Sequence, residues 1–322
     1  MRLTQTPPRP GRAPAAGRPG PSAGYRATPS GRTVAWARRV PLLPAIVLVI
    51  VVTQVPFLMT VWYSFQDWNL LTRPEPRFVG LANYGTIVSD TNFQQAALNT
   101  VVMTGGAVLL AFVAGLALAL LVNRSFFGRG VVRTLLITPF LVLPAATALL
   151  WKTSMLNASF GLVNWVLRPF GVGDVDWVTQ FPMLSVVVVL AWQWMPFMML
   201  ILLAGLQSED PSVIEAGKVD GAGPIALFVH LTLPHLRQYA ELGLFLGAVY
   251  IVQSFDVVYL MTQGGPGGAT TNLPYFLYLR AFRGFEIGEA AALSVIVLIG
   301  TLLVATVALR VVSGLLKEEA KA

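Results

Sequence analysis

Residues 182–237 read PMLSVVVVLAWQWMPFMMLILLAGLQSEDPSVIEAGKVDGAGPIALFVHLTLPHLR. An apolar run over 182–206 gives way to a polar, glycine-rich stretch, and a second apolar run follows from Tyr239 to Met261. About 20 apolar residues are what a helix needs to cross a bilayer. Inside lipid every backbone polar group must be bonded within its own segment, so helix is the expected form. The polar stretch is therefore a loop at a membrane face. It concentrates small residues (Ala216, Gly217, Gly221, Ala222, Gly223) and two carboxylates, Glu215 and Asp220.

Outward from this loop the chain repeats the same theme. Apolar stretches run approximately over Val40–Phe65, Ala97–Val122, Thr134–Trp151, Pro182–Leu206, Tyr239–Met261 and Gly288–Val312. The expectation is an all-α membrane protein of six transmembrane helices, since the alternating segments of a β-barrel are absent. Composition agrees: of 322 residues, 55% are hydrophobic and 11% charged, with a mean hydropathy of +0.68. Prolines 56, 139, 144 and 196 fall inside spans and are read as kinks. With no cysteine, disulfides, thiolate catalysis and Cys-ligated metals are excluded. His230 and His235 are five apart, the wrong spacing for a helical metal pair.

The chain carries a net charge of +7. Eight of its arginines lie in residues 1–39, among Pro, Gly, Ala, Ser and Thr and without an acidic residue. That composition cannot bury enough apolar surface to offset its ordering entropy, so 1–39 is read as a disordered cytoplasmic tail. It is not a signal peptide, because a long polar segment precedes the first apolar run. Its charges suit anionic lipid rather than nucleic acid. Residues 40–313 form the transmembrane domain, with the polar loop at about 207–237, and 314–322 a short second tail. Counted over the loops, sixteen Lys and Arg fall on the side of the N-terminus and six on the other, at Arg73, Arg77, Lys152, Arg168, Arg280 and Arg283. The positive-inside rule then places both termini, and the polar loop, in the cytoplasm.

Local chemistry shapes the loop. Asp210 is a helix cap followed by Pro211, whose missing donor is harmless at a first helical position. A helix is expected over Pro211 to about Val219, broken at Gly221, and a second from Pro224 that ends before Pro234.

The order Glu215-Ala216-Gly217, Gly221, Leu231 and Leu233-Pro234 resembles the "EAA" loop of binding-protein-dependent ABC importers: Glu-Ala-Ala, three residues, Gly, nine residues, Ile, one residue, Leu-Pro. Gly217 and Leu231 depart from that pattern. Asp220-Gly221-Ala222 and Phe228 are similar to its sugar-permease branch. A second run also resembles permeases of the MalF and UgpA type: Phe255-Asp256, then Leu260-Met261-Thr262-Gln263-Gly264-Gly265-Pro266, Thr270, Thr271, Tyr278 and Ala281-Phe282. Within that family the overall look is nearest to the first permease subunit of actinobacterial trehalose importers.

The resemblance implies a type I importer permease fold in a bacterial plasma membrane. It implies a second homologous permease, a dimer of ATPase subunits that bind ATP and Mg, and an extracytoplasmic sugar-binding protein or lipoprotein. Glu215, Ala216, Gly217, Asp220, Gly221 and Ala222 would grip the ATPase. The chain itself carries no P-loop and no catalytic motif, so it is not expected to be an enzyme or to hold a cofactor. The rival readings are an ion-driven secondary carrier, whose paired discontinuous helices are not evident, and an ABC permease for a non-sugar solute such as glycerol phosphate.

For the substrate path the candidates are Gln193, Trp194, Tyr250, Gln253 and Asp256. Polar groups at membrane depth call for a reason. Tyr250, Gln253 and Asp256 are spaced to share one helix stripe with Gly247 and Ser254 nearby, and aromatic faces with amides suit sugars. Trp192 and Trp194 should diverge. Glu241 is expected to pair with Arg237. The loop Gly264–Gly268 reads either as a mobile outer loop or as a tight reversal.

Overall fold

The computed structural model describes residues 43–171 and 173–318. The Arg-rich tail 1–39, the start of the first apolar stretch at 40–42 and the last residues, 319–322, lie outside them. The chain divides into two units, Met1–Val55 and Pro56–Ala322. Of the first, the described residues are helical throughout. They belong to helix α1 (Leu43–Tyr63), which holds no charged residue.

The second unit continues with a β-hairpin, β1 (Gln66–Asn69) and β2 (Arg73–Phe78), which corrects the all-α expectation. Asn69 makes the reversal, its Oδ1 accepting from the N–H groups of Leu71 and Thr72 at 2.9 and 3.1 Å. Pro74 and Pro76 are tolerated because, among the described residues, β2 pairs only with β1 and its outer edge is unpaired. The pairing is antiparallel, with Gln66 opposite Phe78 and Asn69 opposite Arg73.

Helices α2 (Ala82–Ser89), α3 (Thr91–Asn123), α4 (Arg129–Leu141), α5 (Pro144–Leu150), α6 (Pro182–Gln207), α7 (Pro211–Val219), α8 (Pro224–Leu227), α9 (Leu233–Ile251), α10 (Asp256–Met261), α11 (Leu273–Tyr278) and α12 (Ile287–Glu318) follow. α1, α3 and α6 are long and apolar enough to cross a membrane, and α4 with α5 and its extension make a fourth if the bent pair is one span. That pair turns by 97°, so the expected third span, Thr134–Trp151, is not one straight helix. Pro144 forces extended backbone on Leu143 (φ −55°, ψ 135°), and the freed Val142 carbonyl accepts from Gln193 Nε2 at 3.3 Å. The expected fifth span is broken as well, between Ile251 and Asp256.

The core lies along α3 and α6. Ala107, Ala111, Gly115 and Ala119 recur every fourth residue, and the three alanines are wholly buried. This flat ridge lets α6 come close: a Cβ on Gly115 would lie 2.7 Å from Met198 Cβ and 2.9 Å from the Met199 nitrogen. Met103, Val186, Val189, Leu190 and Met198 fill one half of the core, and Met199, Leu202, Leu206 and Leu236 the other. Val101, Leu109, Leu121 and Leu149 are exposed, as side chains facing lipid would be.

Candidate functional site

The polar loop folds much as its local chemistry directs. Asp210 Oδ1 accepts from the Ser212 N–H at 2.9 Å and caps α7 behind Pro211. The same Ser212 hydrogen bonds hold the Asp210 carboxyl below its ordinary range. At the other end Gly221 adopts φ +85°. Its N–H donates to the Lys218 carbonyl at 3.1 Å, and that of Ala222 to Gly217 at 3.0 Å. This paired 5→2 and 6→1 closure is a Schellman cap, which needs a left-handed residue and so favours glycine. Gly223 then caps α8 with Pro224 in first position.

Glu215, Ala216, Asp220 and Gly221 point outward and are exposed, while Gly217 and Ala222 are half-buried. Val219 and Ile225 are exposed beside them, at 87% and 79%. A free surface thus combines carboxylates, glycine backbone and bare apolar side chains. Underneath, a Cβ on Gly217 would lie 2.7 Å from Leu227 Cδ2 and 3.1 Å from Leu231 Cδ1. The helix that follows does not stop before Pro234. A π turn, Phe228–Thr232, runs straight into α9, with the Leu233 N–H reaching back to the Phe228 carbonyl. Widening the turn spares the clash that a proline ring makes with the preceding turn.

Polar side chains tie the loop to α6 and α9. Ser208 Oγ bonds Tyr239 Oη at 2.8 Å and His235 Nε2 at 3.0 Å, and His235 Nε2 also meets the Gly205 carbonyl at 3.1 Å. Thr232 Oγ1 donates to Glu209 at 3.2 Å. His230 bonds Ala226 instead, and Arg237 pairs with Glu241 at 3.0 Å as its spacing implies.

The second sequence run forms an ordered reversal. The Thr270 N–H donates to the Gly264 carbonyl at 3.0 Å and its hydroxyl to Thr262 Oγ1 at 2.7 Å. Asn99 of α3 holds the loop from outside, donating to the carbonyls of Gly268 and Thr271 at 2.9 and 3.0 Å. Asn272 caps α11 and donates to the Ser254 carbonyl at 2.6 Å, fixing the break before α10. Of the two readings of Gly264–Gly268, the tight reversal holds. Phe255, Tyr278 and Phe282 from this run line a mostly apolar cavity of about 440 Å3, with Ala290, Ala291 and Ser294 of α12.

The path candidates separate. Tyr250 stacks on Trp194, ring centroids 5.3 Å apart and planes at 17°. Phe197 of α6 and Phe140, at the end of α4, complete the cluster. Trp192 turns away onto Trp151, as two residues of separation require. Gln193 is buried on the Val142 carbonyl. The stripe Tyr250–Gln253–Asp256 does not exist as one helix face, because α9 ends at Ile251 and Asp256 opens α10. Asp256 there suits a helix N-terminus. Gln253 bonds the Val249 carbonyl at 2.8 Å. Gly247 faces Met198, whose Cε would lie 2.3 Å from an added Cβ. The aromatic cluster is therefore set between the two breaks, where α4, α6 and α9 meet.

On the opposite flank, Arg280 gathers Asp90, Glu286 at 2.8 Å and Glu289 at 3.2 Å, over the ring of Phe276. Burial pushes the Asp90 carboxyl up, but hydrogen bonds from Asn92 and Arg280 and the Arg280 charge outweigh it and hold the group below its ordinary range. The sequence reading missed Asn99, Asn272 and Asp90. Their roles lie in partners distant in sequence, and only Asn99 carried a signal, as a polar residue within an apolar run.

Residues 107–317 match the model of the family described as binding-protein-dependent transport system inner membrane component. The trehalose/maltose transport system permease protein MalF of Thermococcus litoralis is 35% identical over 252 residues, 77% of this chain and 83% of that protein. The trehalose transport system permease protein SugA of Mycobacterium tuberculosis is 32% identical over 255 residues, 79% of this chain and 81% of that protein. Among solved structures, a bacterial alginate ABC transporter in complex with an alginate pentasaccharide-bound periplasmic protein shares the fold. The TM-score is 0.72 at 21% identity, over 86% of this chain and 93% of that one. On these likenesses the chain belongs to the permeases of binding-protein-dependent ABC sugar importers.

Proposed function

We propose that this chain is one half of the translocation path of an ATP-driven disaccharide importer, with a trehalose-like sugar as its cargo. Six spans with both termini in the cytoplasm place the Glu215–Ala222 loop on the side where ATP is. There it docks an ATPase subunit that binds ATP and Mg. A second, homologous permease supplies the other half of the path, and an extracytoplasmic binding protein delivers the sugar. The observation that carries the coupling role is the exposed, Schellman-closed surface of Glu215, Ala216, Asp220 and Gly221. A rigid helix pair with glycine backbone at its surface admits close approach by another protein.

The cargo reading rests on the cluster of Trp194, Phe197, Phe140 and half-exposed Tyr250, with Gln193 next to Trp194 in sequence and bonded to the Val142 carbonyl. Aromatic faces cover the C–H patches of a sugar, while hydroxyl and amide groups bond its oxygens. The trehalose relatives support the choice of disaccharide. Gln253 lies in the helix break and Asp256 just past it, and they enter this reading only at its rim.

The test is a reconstituted importer carrying Glu215→Ala or Gly221→Leu. Either should release the ATPase or reduce binding-protein-stimulated hydrolysis to its basal rate, with sugar binding by the isolated binding protein unchanged. Normal stimulated transport in both variants would sink the docking assignment. Trp194→Ala should lower trehalose uptake while leaving the ATPase bound. Uptake of another solute class in preference to disaccharides would overturn the cargo reading alone.

A further inference from the structure

Among the described residues, no carboxylate balances the charge at the start of α4. α4 opens on Arg129, with Arg133 one turn later and no acidic residue in its first turn. With the Gln207 amide oriented to satisfy its neighbours, both guanidiniums donate to its one oxygen, Arg129 at 3.1 Å. Among the described residues neither arginine is ion-paired with a carboxylate. Arg133 Nε is buried and has no hydrogen-bond partner.

Each feature is unfavourable as it stands. Like charges at i, i+4 repel, and cations at a helix N-terminus oppose its dipole. The C-terminal end of α6 beside them returns about half a charge against two. A buried guanidinium nitrogen without an acceptor adds a desolvation cost. One anion on the outer guanidinium nitrogens would answer both charge terms at once, because a guanidinium pair is shaped for phosphate oxygens. Beside exposed Arg124 and Ser125, apolar side chains line this surface: Phe126, Val131 and Leu135 are exposed, and Phe127 is fully so. A free phosphate would gain nothing from those side chains. A lipid, which brings acyl chains with its phosphate, would.

We propose that Arg129 and Arg133, joined at Gln207, form a binding site for the phosphate group of an anionic phospholipid in the cytoplasmic leaflet. The site takes its leaflet from the orientation proposed above, but lipid retention is measured without transport, so failure of one reading leaves the other standing. It stands beside the root of the polar loop, and Gln207 is the last residue of α6.

The assembled importer would be exchanged into nanodiscs of phosphatidylcholine with or without phosphatidylglycerol, and the retained lipid read by native mass spectrometry. The wild type should hold phosphatidylglycerol in preference by roughly thirtyfold, the increment of two basic residues at an anionic surface. Arg129→Gln/Arg133→Gln should lose the preference, and Arg129→Lys/Arg133→Lys should keep part of it. If the glutamine variant does not assemble, the wild type and the lysine variant decide. No preference in the wild type, or an unaltered preference in the glutamine variant, overturns the site. Displacement of the lipid by excess inorganic phosphate would assign the arginines to the free ion instead. Loss of the ATPase with lipid retention unchanged would assign them to that protein. Both outcomes refute the proposal.

Discussion

Replacing Gly221 by alanine isolates the backbone term of the polar loop. A Cβ at this position meets nothing within 4 Å, so neither packing nor a clash contributes. What remains is φ, +85°, where a side chain costs about 1–2 kcal/mol. Alanine also restricts the unfolded chain, which returns about 0.4–1 kcal/mol. The net loss is about 1 kcal/mol, or roughly fivefold in the local opening equilibrium. Gly223 is the internal control. It too has open space around a Cβ, but its φ is −71°, so Gly223→Ala adds no left-handed strain and loses only glycine's advantage over alanine at the cap of α8. Hydrogen exchange followed by mass spectrometry over residues 211–227 reads the difference directly. The amides of Gly221 and Ala222, which donate in the Schellman closure, should exchange about fivefold faster in Gly221→Ala and unchanged in Gly223→Ala. Equal acceleration in both variants, or none in either, would show that the left-handed cap does not hold the loop.

Other outcomes follow from single contacts. Asn99→Ala strands the Gly268 and Thr271 carbonyls that it bonds and should cost about 1–3 kcal/mol per unsatisfied group, seen as a lower Tm of the purified permease. Tyr250→Cys should react with water-soluble thiol reagents, whereas Gly247→Cys, pressed on Met198, should not label and should destabilise; equal labelling would misplace the cluster. Because the folded Asp90 carboxyl ionises below its unfolded value, its stabilisation is complete above about pH 4 and is lost as acid protonates the folded group. A Tm series in acid should therefore fall more steeply for the wild type than for Asp90→Asn, and parallel curves would contradict the pairing.

The loop was legible because its signals are local. Asp210, Pro211, Gly221, Gly223 and Pro224 each act on backbone within a few residues, and the elements begin and end where they direct. The membrane class and the long helices α1, α3 and α6 followed from apolar length in the same way. The breaks did not. Pro144 signals a kink, but the size of the bend is fixed with the help of Gln193, far along the chain on α6. Between Ile251 and Asp256 there is neither proline nor glycine, and the interruption is stabilised by Asn272. A helical stripe drawn through that point failed because periodicity presumes a continuous helix. The hairpin hid for a related reason: two prolines in a six-residue strand argue against sheet until it is known that one edge is unpaired.

The two departures from the family pattern, Gly217 and Leu231, are neighbours: a Cβ on Gly217 would lie 3.1 Å from Leu231 Cδ1. Alanine at 217 would press on the ends of the Leu227 and Leu231 side chains, so restoring the consensus residue alone requires both leucines to shift. Side-chain size at positions 217, 227 and 231 is therefore coupled. A loop transplanted whole from a relative should be accepted more readily than any one of its residues, and drift at one of the three positions opens or closes the routes available to the other two.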